Sequence, residues 1–359
     1  MWNQVLDEQQ INKDRVTKIL AWYDAHRRTL PWRSEPGVMP NPYHVWLSEI
    51  MLQQTTVATV KSYFEYFLTR WPKIENLAKA PLDDVLHAWQ GLGYYARARN
   101  LHKCAQVISS DYDCRFPETE SALLTLPGIG PYTASAIMAI AFNKKSTPMD
   151  GNIERVMTRL HAVMEPLPKS KKYLYQLAKQ MTPDQRAGDY AQALMDIGAT
   201  ICTPRSPNCG ICPITHNCVA NLKGLEAELP KREKKPMKRV RRAIVFWVTR
   251  SSGKVLLRKR PERGLLGGMI EIPSSSWEVE KRSRKELIEQ APFNINWTII
   301  PGSVRHTFTH FHLDIKILSG TYEGESLKGD IWSMPHQFSD HALPTVMKKV
   351  IAHIQAVSG

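Results

Sequence analysis

Four of the six cysteines lie in one short segment, residues 202–218, at the spacing Cys-x6-Cys-x2-Cys-x5-Cys. Zinc sites are usually built from two separated Cys-x2-Cys pairs, each of which supplies two corners of a tetrahedron. A single loop that supplies all four thiolates is typical instead of an iron–sulfur cluster. The segment therefore predicts a [4Fe–4S] cluster, with a zinc site as the alternative. The predicted ligands are Cys202, Cys209, Cys212 and Cys218.

The expected compartment favours a metal site over disulfides. Residues 1–16 are polar and include acids, unlike a secretory or transit peptide, and no apolar run is long enough to span a membrane. We therefore expect a cytoplasmic protein, nucleoid-associated if the source is bacterial, with no membrane partner. In a reducing cytoplasm, clustered cysteines bind metal more often than they form disulfides.

The charge of the chain favours an anionic partner. The formal net charge is +14, and residues 231–242, KREKKPMKRVRR, contribute eight basic side chains against one acid. Charge of this size favours binding to nucleic acid, although it says nothing about fold.

Hydrophobic spacing divides the chain into a helical part and an α/β part. Up to residue 228, apolar residues recur every three or four positions, which predicts helices. After residue 242 they occur in short alternating runs, which predict strands. We expect a mainly α-helical domain over 1–228, a basic linker over 229–242 and a C-terminal α/β domain over 243–359. Strands are predicted at RAIVFWVT, KVLLRKR, GMIEI, WTIIPGSV and HFHLDIKIL, and helices at SWEVEKRSRKELIEQ and ALPTVMKKVIAHIQA.

A glycine turn precedes one of the predicted helices. Residues 126–130 read LPGIG, and the helical stretch PYTASAIMAIAF follows. Gly128 and Gly130 let backbone N–H groups converge at the helix N-terminus, which binds phosphate without reading sequence, as in a helix–hairpin–helix DNA-binding motif. An ordinary turn between two helices is the alternative for this stretch by itself.

Two carboxylates stand where acid–base chemistry is favoured. Glu49, in WLSEIMLQQT, lies beside an apolar stripe, and partial burial would raise its pKa and suit it to donate a proton. Asp150 directly precedes Gly151 at the start of a predicted helix. A solvated glutamate and a simple helix N-cap are the respective alternatives.

These stretches together resemble the endonuclease III superfamily of helix–hairpin–helix DNA glycosylases. Within it they look like the MutY-type adenine DNA glycosylases, from about residue 16 to residue 355. That resemblance implies base-excision repair by a monomer acting on double-stranded DNA in which adenine is mispaired with 8-oxoguanine or guanine. The matching motifs are WLSEIMLQQT, GLGYYARARNLH, LPGIGPYTASAI, MDGNIERV and VRHTFTHFHLDI.

The resemblance also implies catalytic roles. Glu49 would protonate adenine, and Asp150, with Asn152 and Tyr132 nearby, would stabilise or trap the oxocarbenium ion. Bifunctional members of the superfamily carry a nucleophilic lysine where this chain has Tyr132, so a monofunctional hydrolase is expected. Some MutY-type proteins have a further lysine where this chain has Glu154.

Substrate contacts follow from the same resemblance. Arg27, Trp32 and Gln192 would line the pocket for the extruded base. Gln53 and Tyr94 would fill the vacancy left in the duplex.

The C-terminal domain resembles the Nudix fold. It keeps Glu286 and Glu289 but lacks the arginine, the final paired acid and the correctly spaced glycine of a Nudix hydrolase, which indicates a recognition module. MutY-type enzymes probe 8-oxoguanine with a Phe-Ser-His loop, and this chain has Phe308-Thr309-His310. The threonine keeps the hydroxyl but adds a methyl group.

Two other functions stay open at this level. One is a bifunctional endonuclease III-like glycosylase and AP lyase. The other is a non-catalytic DNA-binding protein whose iron–sulfur cluster is structural, in which Glu49 and Asp150 would be dispensable.

Overall fold

The computed structural model describes residues 2–234, 236–262, 264–280 and 282–358. They fall into two compact units. The first unit joins the residues up to Lys79 with Lys103–Lys234, and the second joins Ala80–His102 with the residues after Lys234. No helix in the described ranges has the length and apolar content that crossing a membrane requires.

The first unit is helical, as predicted. Its main core is formed by side chains such as Ile19, Met157, Leu174 and Ile197, which come from α1 (Trp2–His26), α9 (Gly151–Leu160), α10 (Lys171–Met181) and α11 (Ala187–Thr200). The helices of the N-terminal two thirds of the chain are α1 Trp2–His26, α2 Pro42–Leu52, α3 Val57–Arg70, α4 Ile74–Lys79, α5 Leu82–Ala88, α6 Ala96–Asp111, α7 Glu120–Leu124, α8 Pro131–Ala136, α9 Gly151–Leu160, α10 Lys171–Met181, α11 Ala187–Thr200 and α12 Val219–Leu222.

Local sequence signals set the helix starts near the site. Asn41 caps α2, because its side chain accepts a hydrogen bond from the backbone N–H of Tyr43 at 2.9 Å and Pro42 occupies the first turn. Asp150 caps α9 in the same way. Helix α8 continues as a π-helical turn over Ile137–Ala141.

The C-terminal part of the second unit contains β1 Arg239–Thr249, β2 Val255–Lys259, β3 Ile270–Glu271, α13 Arg284–Ile288, β4 Thr298–Thr307, β5 Phe311–Thr321, β6 Asp330–Ser333 and α14 Thr345–Ser358. Its six strands form one sheet in the order β3-β2-β1-β5-β4, with β6 paired to β2. The β1–β5 pair is parallel and the other pairs are antiparallel. Side chains alternate between two cores: Val245 packs with α14 on one face, while Phe246 packs with Phe293 on the other.

The structure differs from the predicted elements and domain boundaries in four respects. The 229–242 segment is not linker throughout, because β1 begins at Arg239; its alternation was hidden by consecutive basic side chains. Strand β6 was not predicted, since four residues are too few to establish a period. Of the helix expected over SWEVEKRSRKELIEQ, the described residues form a helix at Arg284–Ile288 alone, and position 281 lies outside the described residues.

The fourth difference concerns Ala80–His102, which the sequence assigned to the helical domain. In the structure these residues group with the C-terminal sheet. His87 and Gln90 each form 2.9 Å hydrogen bonds, to the backbone oxygens of Ser339 and His341 respectively. The partners are more than 250 residues apart in the chain, so no local pattern reveals them.

Candidate active site

Glu49 is a carboxylate in the middle of an apolar helix. It lies in α2, its residue is only 6% exposed, and both of its chain neighbours are buried. The hydroxyl of Tyr132, in the first turn of α8, donates a hydrogen bond to Glu49 Oε2 at 2.7 Å. Burial raises the pKa of Glu49 to about 7, even though the bond from Tyr132 opposes the rise. Near pH 7 this side chain therefore populates both its acid and its carboxylate form.

Asp150 is both a helix cap and part of this site. Its Oδ1 accepts hydrogen bonds from the backbone N–H groups of Asn152 at 3.0 Å and Ile153 at 2.7 Å, and its Oδ2 accepts from Asn152 Nδ2 at 2.8 Å. Burial raises the pKa of Asp150, while these bonds lower it. Its charge in turn raises the pKa of Glu49. The N-cap interpretation is correct, and it does not remove the carboxylate from the site.

Asn152 is itself fixed from two sides. Arg155 Nη2 donates to Asn152 Oδ1 at 2.9 Å, and Arg155 Nε donates to the backbone oxygen of Cys202 at 2.6 Å. Helix α11 approaches closely at Gly198, where an added Cβ would lie 2.6 Å from Asn152 Cβ. Only glycine permits this approach, so Asn152 has little room to move.

Two adjoining cavities reach the site. The inner cavity, of about 50 Å³, is lined by Glu49, and the outer cavity has a volume of about 600 Å³. Trp32 and Gln192, two of the residues expected to line a base pocket, line both cavities. Arg27 lines only the outer cavity and pairs there with Glu35 at 2.9 Å. The residues common to both cavities are Trp32, Arg33, Ile140 and Gln192.

Sequence reasoning missed a buried charge cluster beside Glu49. Asp196 is fully buried and accepts from Arg28 Nε at 2.6 Å and from both terminal nitrogens of Arg33, at 2.6 and 2.7 Å. Burial opposes ionisation of Asp196, but the bonds from Arg33 hold its pKa below the ordinary value. The positive charge of Arg33 also lowers the pKa of Glu49. The signal in the sequence was the basic stretch RRTLPWR around Trp32.

The glycine turn joins α7 to α8, so the predicted helix–hairpin–helix is present. Gly128 has φ 79°, a left-handed conformation that favours glycine. Gly130 is the N-cap of α8, and a Cβ built there meets no heavy atom within 4 Å. The N-cap of α8 is therefore not covered by other described atoms on the side where a Cβ of Gly130 would point.

The two residues expected to enter the duplex lie at strained turns. Gln53 is the C-cap of α2 and donates from Nε2 to Thr133 Oγ1 at 3.3 Å, and the next residue, Gln54, has φ 58°. Tyr94, in the second unit, has φ 48° and is 47% exposed. Its hydroxyl lies 2.5 Å from Thr309 Oγ1. Tyr94 therefore contacts the loop that the sequence singled out for base recognition.

That loop, residues 308–310, connects β4 and β5. Thr309 and His310 are exposed. The ring of Phe308 instead packs among aromatic neighbours, with ring centroids 4.6 Å from His306, 4.8 Å from Phe311 and 5.7 Å from Trp277. Within the loop expected to probe the base, Phe308 is thus packed against aromatic rings, while Thr309 and His310 are exposed.

The donor set of the cysteine loop fits a cluster. Cys202, Cys209, Cys212 and Cys218 line one cavity of about 30 Å³, and Arg159 Nη1 donates to Cys202 Sγ at 3.3 Å. Four thiols that converge on one cavity are the donor set of a four-iron cluster.

One of the two acids kept from the Nudix pattern, Glu286, caps a helix. Glu286 accepts hydrogen bonds from the backbone N–H and the hydroxyl of Ser283, at 2.7 and 2.8 Å, in a capping box at the start of α13. Glu286 thus serves the start of a helix of five residues.

Three segments of the chain match known protein families. Residues 47–184 match the HhH-GPD superfamily of base excision DNA repair proteins. Residues 202–218 match the iron–sulfur binding domain of endonuclease III, which confirms the cofactor prediction. Residues 244–353 match the NUDIX domain.

Similar proteins cover most of the chain. Adenine DNA glycosylase of Homo sapiens is 33% identical over 92% of this chain and 72% of its own length. Adenine DNA glycosylase of Buchnera aphidicola subsp. Acyrthosiphon pisum is 32% identical over 94% of this chain and 96% of its own. The solved structure of a thermostable thymine-DNA glycosylase is 32% identical, covers 60% of this chain and 98% of its own, and superposes with a TM-score of 0.53.

Proposed function

The chain belongs to the adenine DNA glycosylase family of base-excision repair enzymes, and we propose on that basis how it cleaves the glycosidic bond and which base opposite adenine it reads. The proposed reaction is hydrolysis without a covalent imine, on adenine opposite 8-oxoguanine or guanine. The observation that carries it is the buried Glu49, whose pKa of about 7 and contact with Tyr132 suit it to deliver a proton.

Glu49 is the proposed acid. Adenine leaves poorly as an anion, so its departure requires protonation of the ring. A group with a pKa near the working pH is the most effective proton donor, and burial gives Glu49 that property. The extruded base would enter through the outer cavity, whose volume of about 600 Å³ lies in the range of ligand pockets.

Asp150 is the proposed second carboxylate. Loss of adenine leaves positive charge on the sugar, which an ionised carboxylate stabilises or traps. Three hydrogen bonds, two of them from Asn152, favour the ionised form of Asp150. Glu49 and Asp150 thus occupy different environments, which is how enzymes separate an acid from an anion.

A monofunctional route agrees with the groups at the site. A lyase reaction through an imine needs an amine nucleophile. Among the described residues that line the two cavities there is no lysine. The hydroxyl of Tyr132, at the position of the lysine in bifunctional relatives, is engaged with Glu49.

The C-terminal domain is proposed to read the base opposite adenine. The loop 308–310 exposes Thr309 and His310, and Thr309 is linked to Tyr94 by a 2.5 Å contact. Tyr94 would fill the duplex vacancy while Thr309 and His310 meet the opposite base, with Phe308 holding the loop in place. A monomer suffices, because one chain carries both the acid and the reading loop.

Strand-scission assays test the proposal. Duplexes with adenine opposite 8-oxoguanine, guanine, cytosine or thymine would be incubated with the purified protein, with and without hot alkali. We expect cleavage opposite 8-oxoguanine and guanine, only after alkali, and little covalent complex on borohydride treatment. Efficient trapping or alkali-independent cleavage would favour the bifunctional alternative, and no excision from any duplex would favour a non-catalytic binder.

A further inference from the structure

A polar cavity of about 340 Å³ lies in the second unit, away from the residues assigned above. Three arginines line it: Arg241 from β1, Arg258 from β2, and Arg260 directly after β2. One carboxylate, Glu271 of β3, also lines it. We call it the arginine cavity, and the remaining lining residues are Pro261, Leu265, Ser274, Ser275, Ser276 and Trp277.

Positive charge exceeds negative charge in the arginine cavity. Glu271 is only 1% exposed and pairs with Arg258 at 2.9 Å and with Arg260. Arg241 has no carboxylate within ion-pair distance among the residues that the structure describes; its guanidinium lies over the ring of Phe311, 4.3 Å from the centroid. One carboxylate thus faces three guanidinium groups, and the excess favours an anionic ligand.

Hydrogen-bond donors that lack an acceptor among the described residues also favour an anionic ligand. Arg260 Nε is buried and has no acceptor in the described ranges. Ser274 Oγ accepts from Trp277 Nε1 at 3.2 Å, and its own hydroxyl hydrogen has no acceptor among the described residues. Buried donors without acceptors are costly unless a ligand or water satisfies them. The cavity therefore offers donors to a ligand that brings acceptors.

We propose that the arginine cavity binds a phosphate ester. Phosphate oxygens are acceptors only, and guanidinium groups match them in charge and in planar geometry. The cavity also adjoins the reading loop: Trp277 packs against Phe308, and Phe308 stacks on Phe311, which Arg241 covers. The rings of Trp277, Phe308 and Phe311 would lie between a phosphate bound there and the exposed residues Thr309 and His310.

The phosphate has two sources that share this chemistry: the backbone of the DNA strand whose base the loop reads, and a free nucleotide. Only the first source rests on the function proposed above. Binding of inorganic phosphate or of deoxyguanosine monophosphate by the protein without DNA does not depend on adenine excision at all.

The test uses Arg241→Gln in the full-length protein, because Arg241 is free of ion pairs among the described residues. Arg241→Lys keeps the charge but not the planar fork. Arg284→Gln is the matched control, since Arg284 is an exposed arginine in the same unit that does not line the cavity. Calorimetric titrations would use inorganic phosphate and deoxyguanosine monophosphate, and duplex affinity would be measured across a salt series. Circular dichroism would verify that each variant is folded.

If the ligand is a phosphate of the DNA backbone, Arg241→Gln weakens duplex binding several-fold and lowers the slope of log affinity against log salt by about 1, and Arg241→Lys partly restores the duplex affinity. If the ligand is a free nucleotide, Arg241→Gln abolishes monophosphate binding and leaves duplex binding unchanged. The proposal is wrong if Arg241→Gln binds every probe like wild type, or if Arg284→Gln causes an equal loss. Excision under saturating enzyme is measured separately, so failure of the catalytic proposal would be seen on its own.

Discussion

The hydroxyl of Tyr132 donates to the carboxylate of Glu49 across a distance of 2.7 Å, although 83 residues separate the two in the chain. The bond favours the charged form of Glu49, and burial favours the neutral form. Burial is the stronger influence, so the pKa stays well above that of an ordinary glutamate. Tyr132 thus limits how strongly Glu49 holds its proton.

Replacing Tyr132 with phenylalanine should raise the pKa of Glu49, because the bond that stabilises the carboxylate is lost. A hydrogen bond to a charged group is worth about 1.5–3 kcal/mol, or roughly one to two pH units. The falling limb of single-turnover excision against pH should move upward by that amount. Tyr190→Phe is the control, since the Tyr190 hydroxyl is buried without a partner among the described residues. An unmoved limb in Tyr132→Phe would argue against Glu49 as the titrating acid.

In the wild-type protein, excision should fall as pH rises through about 7, where Glu49 loses its proton. It should also fall at low pH, where Asp150, whose pKa burial raises above 3.8, becomes neutral.

Glu49→Gln cannot donate a proton and should lose about 10²–10⁴-fold in excision rate while still binding duplex. Glu118→Gln, an exposed control, should keep both properties. Retention of the high-pH limb in Glu49→Gln would assign that limb to another group.

Asp150→Asn and Asp150→Ala separate the cap from the catalytic charge. Asparagine caps helices as well as aspartate does, whereas alanine costs about 1 kcal/mol. Both variants should lose roughly 10²-fold or more in rate, as for other removed electrostatic contacts. Only the alanine variant should show a clearly lower midpoint in denaturant unfolding. Equal activity of Asp150→Asn and wild type would mean that the residue serves α9 alone.

Asp196→Asn should be among the most destabilising single changes in the first unit. It leaves Arg28 and Arg33 without their buried counter-charge, and breaking such a group costs about 3–5 kcal/mol. Asp24→Asn removes an exposed partner of Arg186 and should cost less than about 1 kcal/mol. Chemical denaturation of both variants measures the difference. Similar losses would show that Asp196 is not a stabilising centre.

Thr309→Val should weaken discrimination between 8-oxoguanine and guanine without slowing excision opposite guanine. Valine keeps the shape of threonine but removes the hydroxyl that contacts Tyr94. The ratio of single-turnover rates on the two mispairs should fall by about five-fold, which corresponds to one hydrogen bond of about 1 kcal/mol. Thr307→Val, at the end of β4, serves as the control. A ratio unchanged in Thr309→Val would place the reading elsewhere.

Motifs confined to a few consecutive residues were recognisable in the sequence. The cysteine spacing and the LPGIG turn are local, so the cluster loop and the hairpin were predicted where they occur. Asp196 was missed because its partners Arg28 and Arg33 lie 168 and 163 residues away. The sequence grouped Phe308 with Thr309 and His310, and it does not reveal that Trp277 and Phe311 pack against the ring of Phe308. In both cases the environment of the side chain is set by residues that are distant in the sequence.

Arg155 touches the backbone of a cluster ligand with one nitrogen and Asn152 with another. Asn152 in turn holds Asp150. Three successive polar contacts therefore join the cysteine loop to the carboxylate proposed as catalytic. A substitution at Arg155 is expected to disturb Asp150 although no residue of the proposed base pocket is altered.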